Sequence, residues 1–197
     1  MEPINTRDPV TAARAYLSIL DWPISVGHRY RPRSGCTCGQ ACATPGAHPR
    51  PGALTPLTTD GVRAVLDAAP GAGLITPTAR FDALVMPRQL GMAAMVSLDR
   101  VAPVPCLIDD TRAILLVLPS TGRCALSDQA LTAVELRAGP DQWIAVPPSH
   151  GTRWDTPPWS EETHAPIPLL HGGDLRPQLS EALRSSWATV TANEVSQ

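Results

Sequence analysis

Apolar positions recur at helical spacing in four stretches of the chain. Val10, Ala13, Leu17 and Leu20 fall on one face behind an Asp8-Pro9 cap signal, predicting a first helix that runs to about Leu20. Thr59 is placed to cap a second helix with Val62, Val65, Leu66 and Ala69 on its buried side, closed by Pro70-Gly71. A third helix over 87–99 carries Met92, Met95 and Val96 on one side, with Gly91 weakening it slightly. Asp174 opens a last one that buries Leu175, Leu179, Ala182 and Leu183. Short apolar runs predict strands at 23–26, 73–76, 82–86, 131–136 and 142–146. The runs 104–108 and 113–118 read as a β-hairpin turning at Asp109-Asp110-Thr111. The Pro- and Trp-rich stretch 150–168 is expected to lie as a strap over the sheet, and the tail beyond Ala192 to fray. Helices interspersed with hairpins give an α/β (α+β) class with one mixed sheet covered by helices. The expected division is a domain over 1–160, with a metal loop at 27–58, and a strap, helix and tail over 161–197 packed on it.

Composition narrows the class. At 197 residues with 43% hydrophobic and 17% charged residues, the chain can bury a real core; 22 prolines and one phenylalanine imply rigid loops and an aliphatic interior. No run approaches the ~20 apolar residues of a membrane span, and no basic-then-apolar signal opens the chain, so a cytoplasmic protein without a membrane partner is expected. All 16 basic residues are arginine. Without lysine there is no Walker A motif, Schiff base or lysine nucleophile, and a P-loop ATPase is excluded.

The strongest chemical signal is Cys36-Thr-Cys38-Gly-Gln-Ala-Cys42-Ala-Thr-Pro-Gly-Ala-His48. Three thiols and an imidazole in a short loop rich in Gly and Pro match the closed four-ligand set of a structural zinc site, with His28 the rival to His48 as fourth ligand. A loop as long as the one reaching Leu57 also needs a metal to organise it. Charge is segregated around this motif. Residues 22–59 contain no Asp or Glu but hold Arg29, Arg31, Arg33 and Arg50, which leaves the segment positive even with three thiolates on Zn²⁺. Guanidinium forks match phosphate geometry, and Tyr30 among them is available to stack on a base.

Other constellations read as structural. Ser149-His150 near Asp155 lacks a nucleophile elbow, and adjacent residues cannot normally present nucleophile and base to each other. Asp109-Asp110 suits a turn, in which Asp bonds its own backbone. His164 and His171 are expected at the surface, and Trp143, Trp154 and Trp159 as buried anchors of the strap. Cys106 and Cys124 are expected to be buried free thiols. Arg137 and Arg153 are candidate phosphate contacts.

Several segments taken together resemble a known family: Leu20-Asp21-Trp22-Pro23 ending a helix, the knuckle closing on Pro45-Gly46-Ala47-His48-Pro49, Leu57-Thr58-Thr59-Asp60, and Trp143-Ile144-Ala145-Val146-Pro147-Pro148-Ser149. In this order they resemble the bifunctional DNA primase/polymerase (prim-pol) domain of the archaeo-eukaryotic primase superfamily, over roughly 12–159. The resemblance implies a mixed α/β fold with a sheet like that of an RNA-recognition motif, and two-metal nucleotidyl transfer. In such domains an Asp-x-Asp ends a central strand, a hairpin histidine meets the triphosphate, and a third acid precedes the Pro-Pro-Ser turn. Here the Asp-x-Asp positions fall on Val85 and Pro87, and Asp82 is out of register, on the opposite strand face. The histidine position falls near Ala113, with Arg112 the nearest polar group, and the third acid corresponds to Glu135. Glu135 and Asp82 are the remaining catalytic candidates, too few oxygens for two hard cations, so Mg²⁺ or Mn²⁺ is expected only if activity persists. The resemblance thus implies a domain that binds nucleotide or single-stranded nucleic acid through Arg29, Arg31, Arg33, Arg50, Arg112 and Arg137, with zinc on Cys36, Cys38, Cys42 and His48. The alternative is a protein-interaction module on the same scaffold, with a protein partner and no nucleic acid.

Overall fold

The 16 residues Ala72–Pro87 form a single strand, β3, that organises the molecule. The computed structural model describes residues 4–194 apart from 53 and 129. Two strands, 73–76 and 82–86, were expected here. Instead the strand stays paired and slips register on both sides of Thr78, whose Oγ1 donates to the Gly139 carbonyl at 2.8 Å. Such an irregularity is where a central strand tolerates proline. The slip also reverses the alternation: Ala72 and Leu74 share their face with Phe81, Ala83 and Val85 further on, while Asp82, Leu84 and Met86 point the other way.

Around β3 the chain lays β1 (Ser25–Arg31), β2 (Gly35–Cys36), β4 (Cys106–Ile108), β5 (Arg112–Val117), β6 (Glu135–Val146) and β7 (Arg153–Thr156). The sheet runs β2-β1-β3-β5-β4-β7, with β6 paired to β3. Every pairing is antiparallel, where a mixed sheet was expected; short turns join β1 to β2 and β4 to β5, and longer connections through helices and loops join the other pairs. The expected strands 131–136 and 142–146 prove to be a 3-10 turn, Ala130–Thr132, followed by one strand, β6. The strap was not foreseen as strand, yet its Arg153–Thr156 pairs with β4.

Helices cover both faces. α1 (Pro9–Ser18) and α2 (Thr59–Ala68) pack with Ala12, Ala13, Tyr16, Val62 and Leu66 against Leu74, Phe81, Ala83 and Leu116. α3 (Arg88–Leu98) and α4 (Gly172–Glu194) bury Leu90, Met95, Leu98, Leu175, Leu179 and Leu183 against Leu84, Met86, Leu115 and Val117. The α/β class read from the sequence is therefore the class observed. Asp8 caps α1 through a 2.7 Å bond from Thr11 N–H, as its position before Pro9 predicts. The α2 cap is Thr58, one residue before the expected Thr59. α4 begins two residues before the expected Asp174, because His171 Nδ1 accepts from Gly173 N–H at 3.0 Å; His171 is exposed, as expected, and caps the helix. That helix continues through Asn193 and Glu194, and 195–197 lie outside the described residues. Gly91 has a packing reason: a Cβ there would meet the Ala113 methyl at 2.3 Å, so α3 lies directly on β5.

Cys106 is buried, and that burial pushes its thiol up to about 12. Cys124 is exposed, against expectation, because in the 3-10 turn Gly122–Ala125 it is Gly122 and Ala125 that face inward. No helix among the described residues is long and apolar enough to cross a membrane.

Candidate metal knuckle and the recess at the end of the central strand

The β1–β2 hairpin delivers Cys36 at the end of β2, with Tyr30 paired opposite it. Two close backbone approaches then fold the rest of the loop onto β1. A Cβ on Gly27 would meet the His48 carbonyl oxygen at 2.4 Å, and one on Gly46, whose φ is +71°, would meet the Tyr30 amide nitrogen at 2.5 Å; only glycine allows either contact. His28 N–H donates to the His48 carbonyl at 3.0 Å and closes the loop.

The result brings one ligand atom each from Cys36, Cys38, Cys42 and His48 within 4.8 Å of one another, a cluster that can hold a metal ion. Cys38 Sγ and Cys42 Sγ are 3.8 Å apart, and Cys36 Sγ lies 3.2 Å from His48 Nε2. His48 Nδ1 is 3.2 Å from the Pro49 carbonyl, which can only accept; the ring therefore carries its proton on Nδ1 and turns the Nε2 lone pair into the cluster. His28, the rival ligand, lies tilted against the His48 ring with centres 4.6 Å apart and bonds Thr37 Oγ1 through Nδ1, outside the four-residue group. Burial and the charges of His48 and Arg50 lower its pKa. Burial would raise the Cys36 thiol, but N–H groups of Cys38 and Gly46 outweigh it and bring the thiol down to about 6. Burial and the neighbouring sulfurs of Cys36 and Cys38 push Cys42 up to about 11. Sulfurs packed this closely resist full deprotonation until a cation joins them.

The end of β3 forms a second site. Register places Glu135 opposite Val85, Ile114 opposite Val85 on the other side, and Arg112 opposite Pro87. Directly paired residues share a face, so Val85, Pro87, Arg112 and Glu135 line one recess of about 420 Å³. Ala113 points to the opposite core, so Arg112 is the group that the hairpin offers here. The charges are already matched. Arg112 Nη2 and Nε bond Asp109 Oδ2 at 2.6 and 2.8 Å. Arg137 Nε bonds Glu135 Oε1 at 2.7 Å, while the same guanidinium lies 5.3 Å from the Trp143 ring centre. The Arg137 hydrogen bond holds Glu135 below the usual carboxylate range against the opposing effect of burial, and the charges of Arg137 and Arg112 add to it.

Asp82 is absent from this recess. It is buried on the α3–α4 face, where Oδ2 accepts from Gly122 N–H at 2.8 Å. Asp109 Oδ1 accepts from the amides of Thr111 and Arg112 at 2.9 and 2.7 Å, the expected turn. Ser149 Oγ is consumed between Leu74 N–H and the Leu74 carbonyl, at 2.8 and 2.9 Å, which removes it as a nucleophile. Tyr30 already stacks on His150 with ring centres 3.9 Å apart, leaving one face for any base. Arg29, Arg31 and Arg50 meet at one recess behind the knuckle with His28 and Thr37, and Arg33 is exposed at the adjoining hairpin turn. Sequence reasoning missed Thr37, whose Oγ1 accepts from Arg29 N–H at 3.1 Å, and Asp109 as the partner of Arg112. The Asp-x-x-Arg spacing was the available signal for the second. Comparison with protein-family models, curated proteins and solved structures finds no match.

Proposed function

We propose that this is a zinc-knuckle domain of prim-pol type that binds single-stranded nucleic acid or nucleotide and does not transfer nucleotides. The observation carrying the binding reading is the acid-free segment 22–59, with Arg29, Arg31 and Arg50 gathered at one recess beside the knuckle. Backbone phosphates are matched by such groups in a salt-dependent way.

Zinc suits the knuckle better than other ions. Three thiolates and an imidazole are a soft set, and tetrahedral Zn–S bonds of about 2.3 Å require sulfurs about 3.8 Å apart. The Cys38–Cys42 separation is 3.8 Å. When bound, zinc supplies a structural cross-link for the loop; Cys36, Cys38, Cys42 and His48 hold it, and Pro49 orients the histidine.

The loss of transfer chemistry rests on the β3 recess. The positions that the prim-pol resemblance assigns to the metal-binding pair are filled by Val85 and Pro87, and Glu135 is committed to Arg137. One ion-paired carboxylate does not hold two Mg²⁺ ions. Primer extension with Mn²⁺ and deoxynucleotides is expected to show no incorporation, while a labelled single strand is retained at low salt. Incorporation that disappears in Glu135→Ala would overturn the proposal.

A further inference from the structure

The arginine recess behind the knuckle has a volume of about 290 Å³ and is lined by His28, Arg29, Arg31, Thr37, Arg50, Ala68 and Ala69, with no carboxylate among them. This sets it apart from the β3 recess, where each guanidinium has its own acid. Its walls are also parts of the metal loop. Thr37 stands between the ligands Cys36 and Cys38, and its Oγ1 fixes both Arg29 N–H and the His28 ring. Arg50 follows the ligand His48 by two positions, and its Nε donates to the Gly27 carbonyl at 3.0 Å. The C-terminal end of α2 brings partial negative charge to the recess, which Arg29 answers by donating to the Pro70 carbonyl at 2.8 Å. Arg50 spends one donor out of five, and Arg31 forms no ion pair among the described residues.

Resting on the nucleic-acid reading above, we infer that this recess is a phosphate site for single-stranded nucleic acid and that metal binding at the knuckle assembles it. The lining selects the ligand. Three guanidinium groups with no carboxylate among them suit the phosphates of a strand that continues over the surface past Arg33. The coupling follows from connectivity: a cation that fixes Cys36, Cys38 and His48 also fixes Thr37 and Arg50. By linkage the effect is reciprocal, and a bound strand must tighten metal binding by the same factor.

The test is fluorescence anisotropy of a labelled oligothymidylate over a salt series, on zinc-loaded protein, on chelator-stripped protein, and on Arg31→Ala and Arg31→Ala/Arg50→Ala proteins. Stripping is expected to weaken binding at least about fivefold, the lower end of ordinary coupling. The double variant should reduce the log–log salt slope by about 1.4, at about 0.7 per phosphate contact on single strands. Arg31→Ala alone, at an exposed position without an ion pair, should give about half of that reduction with its fold intact. At equilibrium with a competing chromogenic chelator, added oligonucleotide should raise the zinc retained by the native protein and not by the double variant. Undiminished slopes in both variants would overturn the inference while leaving nucleic-acid binding elsewhere on the domain standing. Equal binding with and without zinc would overturn the coupling, and no binding by the zinc-loaded protein at low salt would overturn inference and function together.

Discussion

In the knuckle, three sulfurs and an imidazole nitrogen converge with no cation of the protein's own among them. Near the end of β3, the carboxylates and guanidinium groups stand instead in neutral pairs, Asp109 with Arg112 and Glu135 with Arg137. The first arrangement is incomplete without an added positive charge; the second is complete as it stands. What differs is which side chains the backbone presents. The glycine-stitched loop turns every donor inward, whereas β3 presents Val85 and Pro87, which carry no side-chain oxygen, to its recess.

Breaking the knuckle should have the largest effect. Metal binding by a structural zinc site amounts to roughly 10–16 kcal/mol of apparent free energy, so Cys42→Ser should lower zinc affinity by more than about a hundredfold. Hydrogen exchange of residues 27–58 should accelerate with it, while β3 and α3 stay protected. Unchanged protection in the loop would mean that the metal does not organise it.

The converse change tests the other site. Val85 is 3% exposed, so Val85→Asp places a carboxylate in a nearly dry position without a matched cation and should cost about 3 kcal/mol in thermal or urea unfolding. Recovery of that loss by added Mn²⁺ would show that the recess retains a latent cation site.

Asp109→Asn should cost about 2 kcal/mol, since it removes charged hydrogen bonds to a half-buried Arg112. Burial pushes the Asp109 carboxyl up, but the Arg112 guanidinium and the amides of Thr111 and Arg112 outweigh it and hold the acid low. A depressed carboxyl contributes stability above its unfolded pKa of about 3.9 and loses it as pH falls through the lower folded value. The difference between native and variant should therefore be constant above about pH 5 and shrink below about pH 4. A difference that grows on acidification would refute this assignment. Glu135→Gln, at a more exposed pair, should change stability by less than about 1 kcal/mol and leave metal content unchanged.

The ligand set of the knuckle was legible because four metal-binding side chains fall within a short run, and local spacing carried the information. The α1, α2 and α3 boundaries were legible to within about two residues for the same reason, from caps and periodicity. Much of what escaped was non-local. That 73–76 and 82–86 form one strand depends on Gly139 across the sheet accepting from Thr78. The strand within the strap depends on β4. The cap of α4 is local, but it falls on an imidazole rather than the expected acid. The face of Asp82 followed from counting along the strand, but its Gly122 partner lies 40 residues away. The pairing of Arg112 and Arg137 with their own acids, which separates these two from Arg31 and Arg50, is local, at spacings of three and two residues, and the Asp-x-x-Arg spacing was the signal for the first.

Metal stoichiometry measured by elemental analysis, after equilibrating native and Cys42→Ser proteins with Zn²⁺ and Mn²⁺ and removing free ions, bears most directly on the contrast between the two sites. One zinc and no manganese per native chain, with zinc lost in the variant, is the predicted outcome. A chain without zinc, or one that retains manganese in a manner dependent on Glu135, would contradict the account.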